Sequence, residues 1–281
     1  MFDVITGSFF ALFVLPFFGT IVLAGIIGLA GRGASRKVLI SASTGIGTAW
    51  VCAFVLGIPN FQITFDSNSI PHVILVGLLL GALIDHLLPQ LGNKYKFICW
   101  SLDLIFAAAV ITWIRGEVEL VSILIFLIWG CIQFSARRQA YDARMPAIMV
   151  VVAAIGLSTT AWIGDILADR NLAFGVGSTG LGFFVWLWFK RDTPLGFSFF
   201  WSSFTALLLI ALRVIETNPL MAVPILVLGF VFFTDSILSQ KKLWPTFFKQ
   251  FAAPIVVCAL SILPIVLASA SALVATTLIN Y

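Results

Sequence analysis

Apolar runs about as long as a membrane is thick follow one another along the whole chain, and they limit its fold more than any other feature. A helix that crosses a bilayer needs roughly 20 apolar residues. The runs predict ten spans, near residues 7–31, 38–58, 70–89, 97–114, 118–135, 146–164, 172–189, 195–213, 219–238 and 251–279. Hydrophobic residues make up 61% of the 281 positions and charged residues 10%, whereas soluble domains carry about 25% charged residues. We therefore expect an all-α, polytopic membrane protein of about ten transmembrane helices, with residues 1–281 forming a single transmembrane domain.

The basic residues are divided unevenly between the connections. If successive connections lie on alternate sides of the membrane, one side keeps only Arg115, Arg170 and Arg213. The other side holds the remaining thirteen of the 16 basic residues, which are Arg32, Arg36, Lys37, Lys94, Lys96, Arg137, Arg138, Arg144, Lys190, Arg191, Lys241, Lys242 and Lys249. Cytoplasmic loops are enriched in Lys and Arg, so we expect both termini outside, in a cytoplasmic (inner) membrane. The net charge of +4 then suits anionic head groups or phosphates and does not indicate nucleic-acid binding.

Ionisable residues inside spans are costly in lipid, so each is a candidate functional residue. Asp85 and His86 lie at the predicted cytoplasmic end of span three, where a carboxylate beside an imidazole can bind a metal or transfer a proton. A polar helix end before Pro89 is an equally good interpretation. Asp103 lies inside span four, two helical turns after Lys96 and on nearly the same face. We expect Asp103 in the bundle interior, where it binds a cation or a hydroxyl, or pairs with Lys96 or with a Ser or Trp of another helix.

Further charged residues cluster at the predicted ends of the spans. Asp235 closes span nine, and carboxylates that converge on a basic cavity can hold Mg²⁺ against a phosphate. Asp165 and Asp169 are four residues apart and can chelate a cation, but solvated loop ends have the same pattern, which we favour. Four basic pairs are explained by membrane orientation, with a phosphate-binding collar as the alternative: Arg36-Lys37, Arg137-Arg138, Lys190-Arg191 and Lys241-Lys242.

Five segments occur in the order of a known family. They are Arg36-Lys37-Val38 before Gly45 and Gly47, Gly81-Ala82-Leu83-Ile84-Asp85-His86, Lys96, Leu181-Gly182-Phe183-Phe184, and Asp235 with its trailing basic pair. Together with the ten predicted spans, this order resembles the superfamily that transfers a hexosamine-1-phosphate or a muramoyl-peptide phosphate from a UDP-sugar to polyprenyl phosphate. The resemblance implies a cytoplasm-facing site that a lipid phosphate enters from the bilayer, with Mg²⁺ held by aspartates.

The resemblance also assigns roles to residues of this chain. Asp85 and His86 take the catalytic position, and Asp85 with Asp235 the metal position. Lys37 and Lys96 are the implied phosphate contacts. The charge pattern described above adds further candidate substrate-binding residues: Asp103, Arg137, Arg138, Lys190 and Arg191. Three family motifs are missing: the second aspartate of the pair is His86, an Asn-x-x-Asn-x-x-Asp-Gly stretch is replaced by residues 133–142, and a Gly-Asp-x-Gly-Ser stretch by residues 195–200. Their loss removes much of the charge that holds Mg²⁺, so we expect either divergent activity or a lipid-phosphate binder without transfer.

Two other classes of function stay open. The elements Ser43-Thr44-Gly45-Ile46-Gly47 and Ser178-Thr179-Gly180-Leu181-Gly182 are similar and lie on spans of opposite direction, as in the inverted repeats of transporters and flippases. Close packing of small residues produces the same pattern. Helices broken at these elements would favour a transporter coupled through Asp85 and Asp103. An open cleft joining Asp85, Lys96 and Asp235 would favour the transferase-like protein. The third class is a non-catalytic subunit of a larger envelope membrane complex, or a homodimer.

Overall fold

The structure is a computed structural model that describes residues 9–30, 38–57, 70–87, 96–115, 119–139, 142–190, 192–233 and 246–279. Within these ranges the chain is helical and contains no strand. The helices are α1 (Phe10–Ala30), α2 (Ala42–Leu56), α3 (Ile70–Leu87), α4 (Lys96–Arg115), α5 (Leu120–Arg138), α6 (Arg144–Ile163), α7 (Leu167–Phe189), α8 (Phe197–Thr217), α9 (Pro219–Phe233) and α10 (Thr246–Ile279). Each coincides with one of the predicted apolar runs, and the all-α prediction is confirmed.

Seven of these helices are long and apolar enough to cross a membrane. They are α1, α3, α5, α6, α7, α8 and the apolar part of α10. The shorter apolar helices are α2, α9 and the segment Trp100–Ile114 of α4. Several apolar helices of this length in one chain indicate a multi-pass membrane protein.

The centre of the bundle is formed by α6, α7 and α8, which are the most buried of the long apolar helices. A tight turn joins α6 to α7, and Asp165 in this turn has a positive φ of 57°. The two helices then pack along their length, with α1 and α2 against α7, and α10 against α6 and α9. The hydroxyls of Thr48 and Thr179, 3.3 Å apart, join α2 to α7 inside the bundle.

The α4–α5 hairpin lies at the edge of the bundle, where its two helices pack mainly against each other. Both helices of the hairpin contact the rest of the protein. The rings of Phe106 in α4 and Trp201 in α8 stack with centroids 4.3 Å apart. At the end of α5, Ser135 Oγ and Gln139 Nε2 donate hydrogen bonds to the carbonyl oxygen of Phe232, at 2.7 and 3.1 Å. A groove remains along one side of the hairpin.

The start of α8 lies against α3 at Gly81. A Cβ atom at this glycine would be 2.6 Å from the backbone nitrogen of Ser198, 2.7 Å from its Cα and 2.8 Å from the carbonyl carbon of Phe197. Only a residue without a side chain permits such an approach between two backbones. Asp85 follows Gly81 by one helical turn, so the approach brings the carboxylate of Asp85 to the first turn of α8.

We expect the substitution Gly81→Ala to lower the free energy of unfolding by about 1–3 kcal/mol, the usual cost of overpacking. The atoms that the new methyl group would meet belong to the backbone and cannot turn aside. Thermal unfolding of the purified protein in detergent measures the effect. Gly19→Ala in α1 is the matched control, because a Cβ there meets no atom within 4 Å. Equal unfolding temperatures for the two variants would contradict the close approach of α3 and α8.

Candidate functional site

Charged side chains from three helices converge on the first turns of α8. Asp85 comes from the end of α3, Asp103 from the first half of α4 and Arg137 from the end of α5. Asp85 and Asp103 are 2% and 7% exposed. The interior position predicted for Asp103 is confirmed. Buried charges are stable only when they are paired or hydrogen-bonded, so the partners of each carboxylate indicate what it can do.

Asp85 caps the N-terminus of α8 from a neighbouring helix. Its Oδ1 accepts a hydrogen bond from the backbone nitrogen of Phe197 at 2.6 Å. Its Oδ2 accepts from the backbone nitrogen and the hydroxyl of Ser198, at 2.9 and 2.6 Å. The first N–H groups of a helix have no partner within the helix, and its N-terminus carries partial positive charge. The carboxylate therefore satisfies α8 both by hydrogen bonding and by charge.

Two small residues complete this cap. A Cβ atom at Gly196 would contact the carboxylate of Asp85, so glycine leaves the space that the carboxylate occupies. Ser41, before α2, accepts a hydrogen bond from the backbone nitrogen of Gly196 at 3.2 Å, and its hydroxyl lies 2.9 Å from that of Ser198. The cap thus joins α2, α3 and α8 at one end of the bundle, the end that the basic connections predict to be cytoplasmic.

Asp103 and Arg137 form an ion pair beside this cap. Arg137 Nη2 donates to Asp103 Oδ1 at 2.6 Å, and its Nε contacts Oδ2. The indole N–H of Trp201 donates to Oδ1 at 2.8 Å, so one of the alternatives expected for Asp103, a Trp of another helix, is observed, whereas Arg137 was not among them. The Arg137 guanidinium also lies over the rings of Phe197 and Phe200, 4.1 and 4.4 Å from their centroids. Cation–π contact and the ion pair together fix the orientation of the guanidinium.

Trp201 belongs to a π-helical turn, Phe200–Phe204, within α8. π-Turns are rare and occur frequently at functional sites. The turn lies directly after the residues capped by Asp85, so one short segment of α8 contacts both buried carboxylates.

The ion pair lies in the wall of a groove between α4 and α5. The groove has a volume of about 410 Å³, and apart from Asp103, Gln133 and Arg137 its wall is made of aromatic, aliphatic and other small side chains: Trp100, Leu104, Ala107, Phe126, Leu127, Gly130, Cys131, Phe134 and Phe233. Leu104, Leu127 and Phe134 are between 45% and 54% exposed, so the groove is open at the side of the bundle. The polar residues lie at one end, and the deeper wall is apolar.

The structure describes the side chains of three of the other predicted site residues. His86, Arg138 and Lys190 are exposed. Lys96 begins α4. Lys37, Arg191 and Asp235 lie outside the described residues, so the predictions for them stay predictions. Asp103 and Arg137 line the groove between α4 and α5. Asp85 does not line it and is buried against α8.

The described residues do not provide a magnesium site. Both oxygens of Asp85 accept hydrogen bonds from α8, and both oxygens of Asp103 contact Arg137. Among these residues no three His, Cys, Asp or Glu side chains lie close enough together to hold a metal ion. Mg²⁺ prefers several oxygen ligands in octahedral geometry, which these two engaged carboxylates do not offer. The magnesium prediction therefore depends on residues outside the described ranges, Asp235 among them.

The two similar Ser-Thr-Gly elements lie within unbroken helices. Residues 43–47 belong to α2 and residues 178–182 to α7. They face each other, since a Cβ atom at Gly47 would lie 2.7 Å from Thr179 Cγ2 and 2.8 Å from Thr20 Oγ1. Close packing of small residues accounts for the similarity. The broken helices that would favour a transporter are not found at these two elements.

At the opposite end of the bundle, Asp169 is buried and not solvated as predicted. It is 1% exposed and forms an ion pair with Arg213 of α8, with 3.0 Å between Arg213 Nε and Asp169 Oδ1. The prediction of a solvated loop end is wrong for Asp169, because Leu167 already starts α7 and turns this carboxylate towards α8. Asp165, in the turn before α7, is exposed as predicted.

Five residues that bind or position the two carboxylates were not predicted from the sequence. They are Ser41, Gly196, Phe197, Ser198 and Trp201. A local signal was present, since Gly196 and Ser198 follow Pro194 at the point where an apolar run begins, which is typical of a helix start. No sequence pattern indicates that the cap of this helix comes from another helix more than one hundred residues earlier.

A scan against models of known protein families finds none that matches the chain, and a search of curated proteins finds no matching relative. The resemblance to the sugar-phosphate transferases therefore rests on the residues quoted for it.

Proposed function

We propose that this chain is a ten-span protein of the cytoplasmic membrane, with both termini outside, that binds polyprenyl phosphate in the groove between α4 and α5. One observation carries the proposal: the wall of the groove is mostly apolar and includes one partly buried arginine, Arg137. A phosphate-bearing lipid is complementary to such a groove, because it has a long apolar chain and a charged head group.

The direction of the groove matches a lipid of one leaflet. Arg137 is the second-last residue of α5, whereas Phe126 lies eleven residues earlier, about 16 Å along the helix axis. The head of a lipid in the groove is therefore at the helix ends, and its chain runs towards the middle of the bundle. Exposed Leu104 and Leu127 leave the side of the groove open to the bilayer, so a chain can enter without leaving the membrane.

Arg137 is the principal phosphate contact in this proposal. A guanidinium can donate to two phosphate oxygens at once, and Asp103 and the two phenylalanine rings hold it in one orientation. Because Asp103 neutralises Arg137, a second positive charge is needed to favour an anion. Lys96 at the start of α4, one turn before the groove residue Trp100, is the proposed source of that charge.

The same geometry favours binding without sugar-phosphate transfer. Asp85, the retained carboxylate of the family motif, is engaged as the cap of α8. Phe197 stands in the stretch where the family has its Gly-Asp motif, and it packs under Arg137. The family's Gly-Asp stretch is thus replaced and Asp85 is engaged, which argues against a bound nucleotide-sugar diphosphate, whereas the apolar groove leaves room for a lipid.

The test is binding of undecaprenyl phosphate to the purified protein, with the uncharged alcohol undecaprenol as the control ligand. Incubation with UDP-sugars and Mg²⁺, followed by measurement of UMP release, runs in parallel. We expect retention of the phosphate over the alcohol and no UMP. Release of UMP that is lost in Asp85→Asn would establish a transferase instead. The proposal would be overturned if the protein retained the phosphate and the alcohol equally, or if it retained neither lipid.

Blocking the groove is expected to weaken binding without harming the fold. A Cβ atom at Gly130 fits, with its nearest neighbour Leu104 Cδ2 at 3.6 Å, but the rest of a leucine side chain would fill the groove. Gly130→Leu should lower the affinity for undecaprenyl phosphate about tenfold, as expected when two methylene groups of the lipid lose their contacts. Gly19→Leu is the control, because it makes the same change in a helix at a site open to lipid. Unchanged binding in Gly130→Leu would place the lipid elsewhere.

A further inference from the structure

Gln133 is a buried polar residue of the groove that the proposed phosphate contact does not use. It is 4% exposed and lines the groove together with Arg137. Its side-chain oxygen Oε1 is buried and has no hydrogen-bond partner among the described residues. Buried polar atoms are nearly always hydrogen-bonded, and an unpartnered carbonyl oxygen in the wall of a ligand groove indicates that the ligand supplies a donor.

The position of Gln133 limits where this donor lies. Gln133 and Arg137 are four residues apart on α5, so their side chains are neighbours on one face, with Cβ atoms about 5–6 Å apart. An ionised phosphate oxygen at Arg137 only accepts hydrogen bonds and cannot satisfy Oε1. A hydroxyl a few bonds away from the phosphate can donate to it, and the hydroxyls of a glycerol or sugar esterified to a phosphate lie at this distance.

We propose that Gln133 accepts a hydrogen bond from a hydroxyl of the bound lipid, so that the groove selects anionic lipids with a hydroxyl-bearing group attached to the phosphate. This inference rests on the proposed lipid-phosphate site and names the class of head group that the site prefers. Two sources have this chemistry: a phospholipid with a glycerol head group and a polyprenyl phosphate that carries a sugar. Arg137 contacts the phosphate in either case, and Gln133 accepts a hydrogen bond from the glycerol or sugar attached to that phosphate.

The experiment compares lipids of equal charge that differ in their hydroxyls. Phosphatidylglycerol and phosphatidylethanol with identical acyl chains form one pair, and undecaprenyl phosphoglucose and undecaprenyl ethyl phosphate form the other. Binding of each to the full-length protein is measured by native mass spectrometry from detergent. We expect the hydroxyl-bearing member of at least one pair to bind about five- to tenfold more tightly, the ratio that one neutral hydrogen bond gives. The pair that shows the preference identifies the source.

The variant Gln133→Met removes the acceptor and keeps an unbranched side chain of similar length. It should bring the ratio close to one without changing the affinity for the lipids that lack hydroxyls. Gln139→Met is the matched control, because Gln139 bonds to Phe232 and does not line the groove. A ratio of one in the unmodified protein, or a ratio that persists in Gln133→Met, overturns the role of Gln133 alone. If none of the four lipids binds, or Arg137→Lys leaves their binding unchanged, the lipid-phosphate site itself is overturned.

Discussion

Replacing Arg137 with alanine is expected to abolish most of the binding of undecaprenyl phosphate, with a loss of affinity of about 10- to 100-fold, the range for losing charge-assisted hydrogen bonds. The same change leaves Asp103 buried and unpaired. Breaking a buried ion pair from one side costs about 3–5 kcal/mol of stability, so the unfolding temperature should fall as well. Binding by native mass spectrometry and thermal unfolding in the same detergent measure the two effects.

Arg138→Ala is the matched control for this prediction. It removes the same charge one position along α5, but Arg138 is exposed whereas Arg137 faces the groove. We expect its stability to stay within about 0.5 kcal/mol of the unmodified protein and its lipid binding to change little. An equal loss in both variants would mean that the basic end of α5 attracts lipid by charge alone.

Replacing both members of the ion pair with neutral residues distinguishes the effect on stability from the effect on lipid binding. In the double variant Asp103→Asn with Arg137→Gln no unpaired charge is left inside the bundle, so most of the stability lost in Arg137→Ala should return. The affinity for undecaprenyl phosphate should not return, because no cation faces the groove. Lipid binding by the double variant at the level of the unmodified protein would show that Arg137 has only a structural role.

The positions of the helices in the described residues could be predicted from the sequence because hydrophobicity decides them directly. Each apolar run is long enough to form a helix, and polar backbone groups in a membrane are satisfied within helices. The interior position of Asp103 followed from the same physics, since a charge facing lipid is costly. These inferences need only local sequence and the properties of the solvent.

The partners of the buried charges could not be predicted in this way. Arg137 was one of thirteen basic residues that membrane orientation explains equally well, and nothing in the sequence separates it from Arg138 beside it. The difference arises from the rotation of α5 about its axis, which turns one arginine to Asp103 and leaves the other exposed. Such a rotation depends on packing against α4 and α9, which hydrophobicity alone does not determine.

For Asp85 the family resemblance and the structure indicate different roles. The sequence places a carboxylate at the end of α3, and the resemblance implies a catalytic or metal-binding role for it. In the structure the same carboxylate holds together three helices through the start of α8. A carboxylate that lies at a helix N-terminus is favoured by the helix dipole without any metal, so the cap of α8 by itself accounts for a carboxylate at this position.

The substitution Asp85→Ala is therefore expected to destabilise the protein strongly. It leaves the backbone N–H groups of Phe197 and Ser198 buried without acceptors, at a cost of about 1–3 kcal/mol for each group. Asp85→Asn should have an intermediate effect, because it keeps one acceptor oxygen but loses the charge that favours the N-terminus of α8. Asp165→Asn is the control: Asp165 is exposed and has a positive φ, which asparagine tolerates well, so its unfolding temperature should hardly change.

The temperature dependence of the functional loss in Asp85→Asn distinguishes a structural role of Asp85, as the cap of α8, from a catalytic role. If Asp85 acts through the fold, lipid binding by Asp85→Asn falls in proportion to the unfolded fraction and recovers when the protein is measured at a lower temperature. A catalytic carboxylate would instead give a folded Asp85→Asn protein that binds lipid and has lost UMP release at every temperature. Substitutions of Asp85 and Asp103 should both reduce function more than Asp165→Asn does. Equal function in all three variants would contradict the assignment of the buried carboxylates to the start of α8.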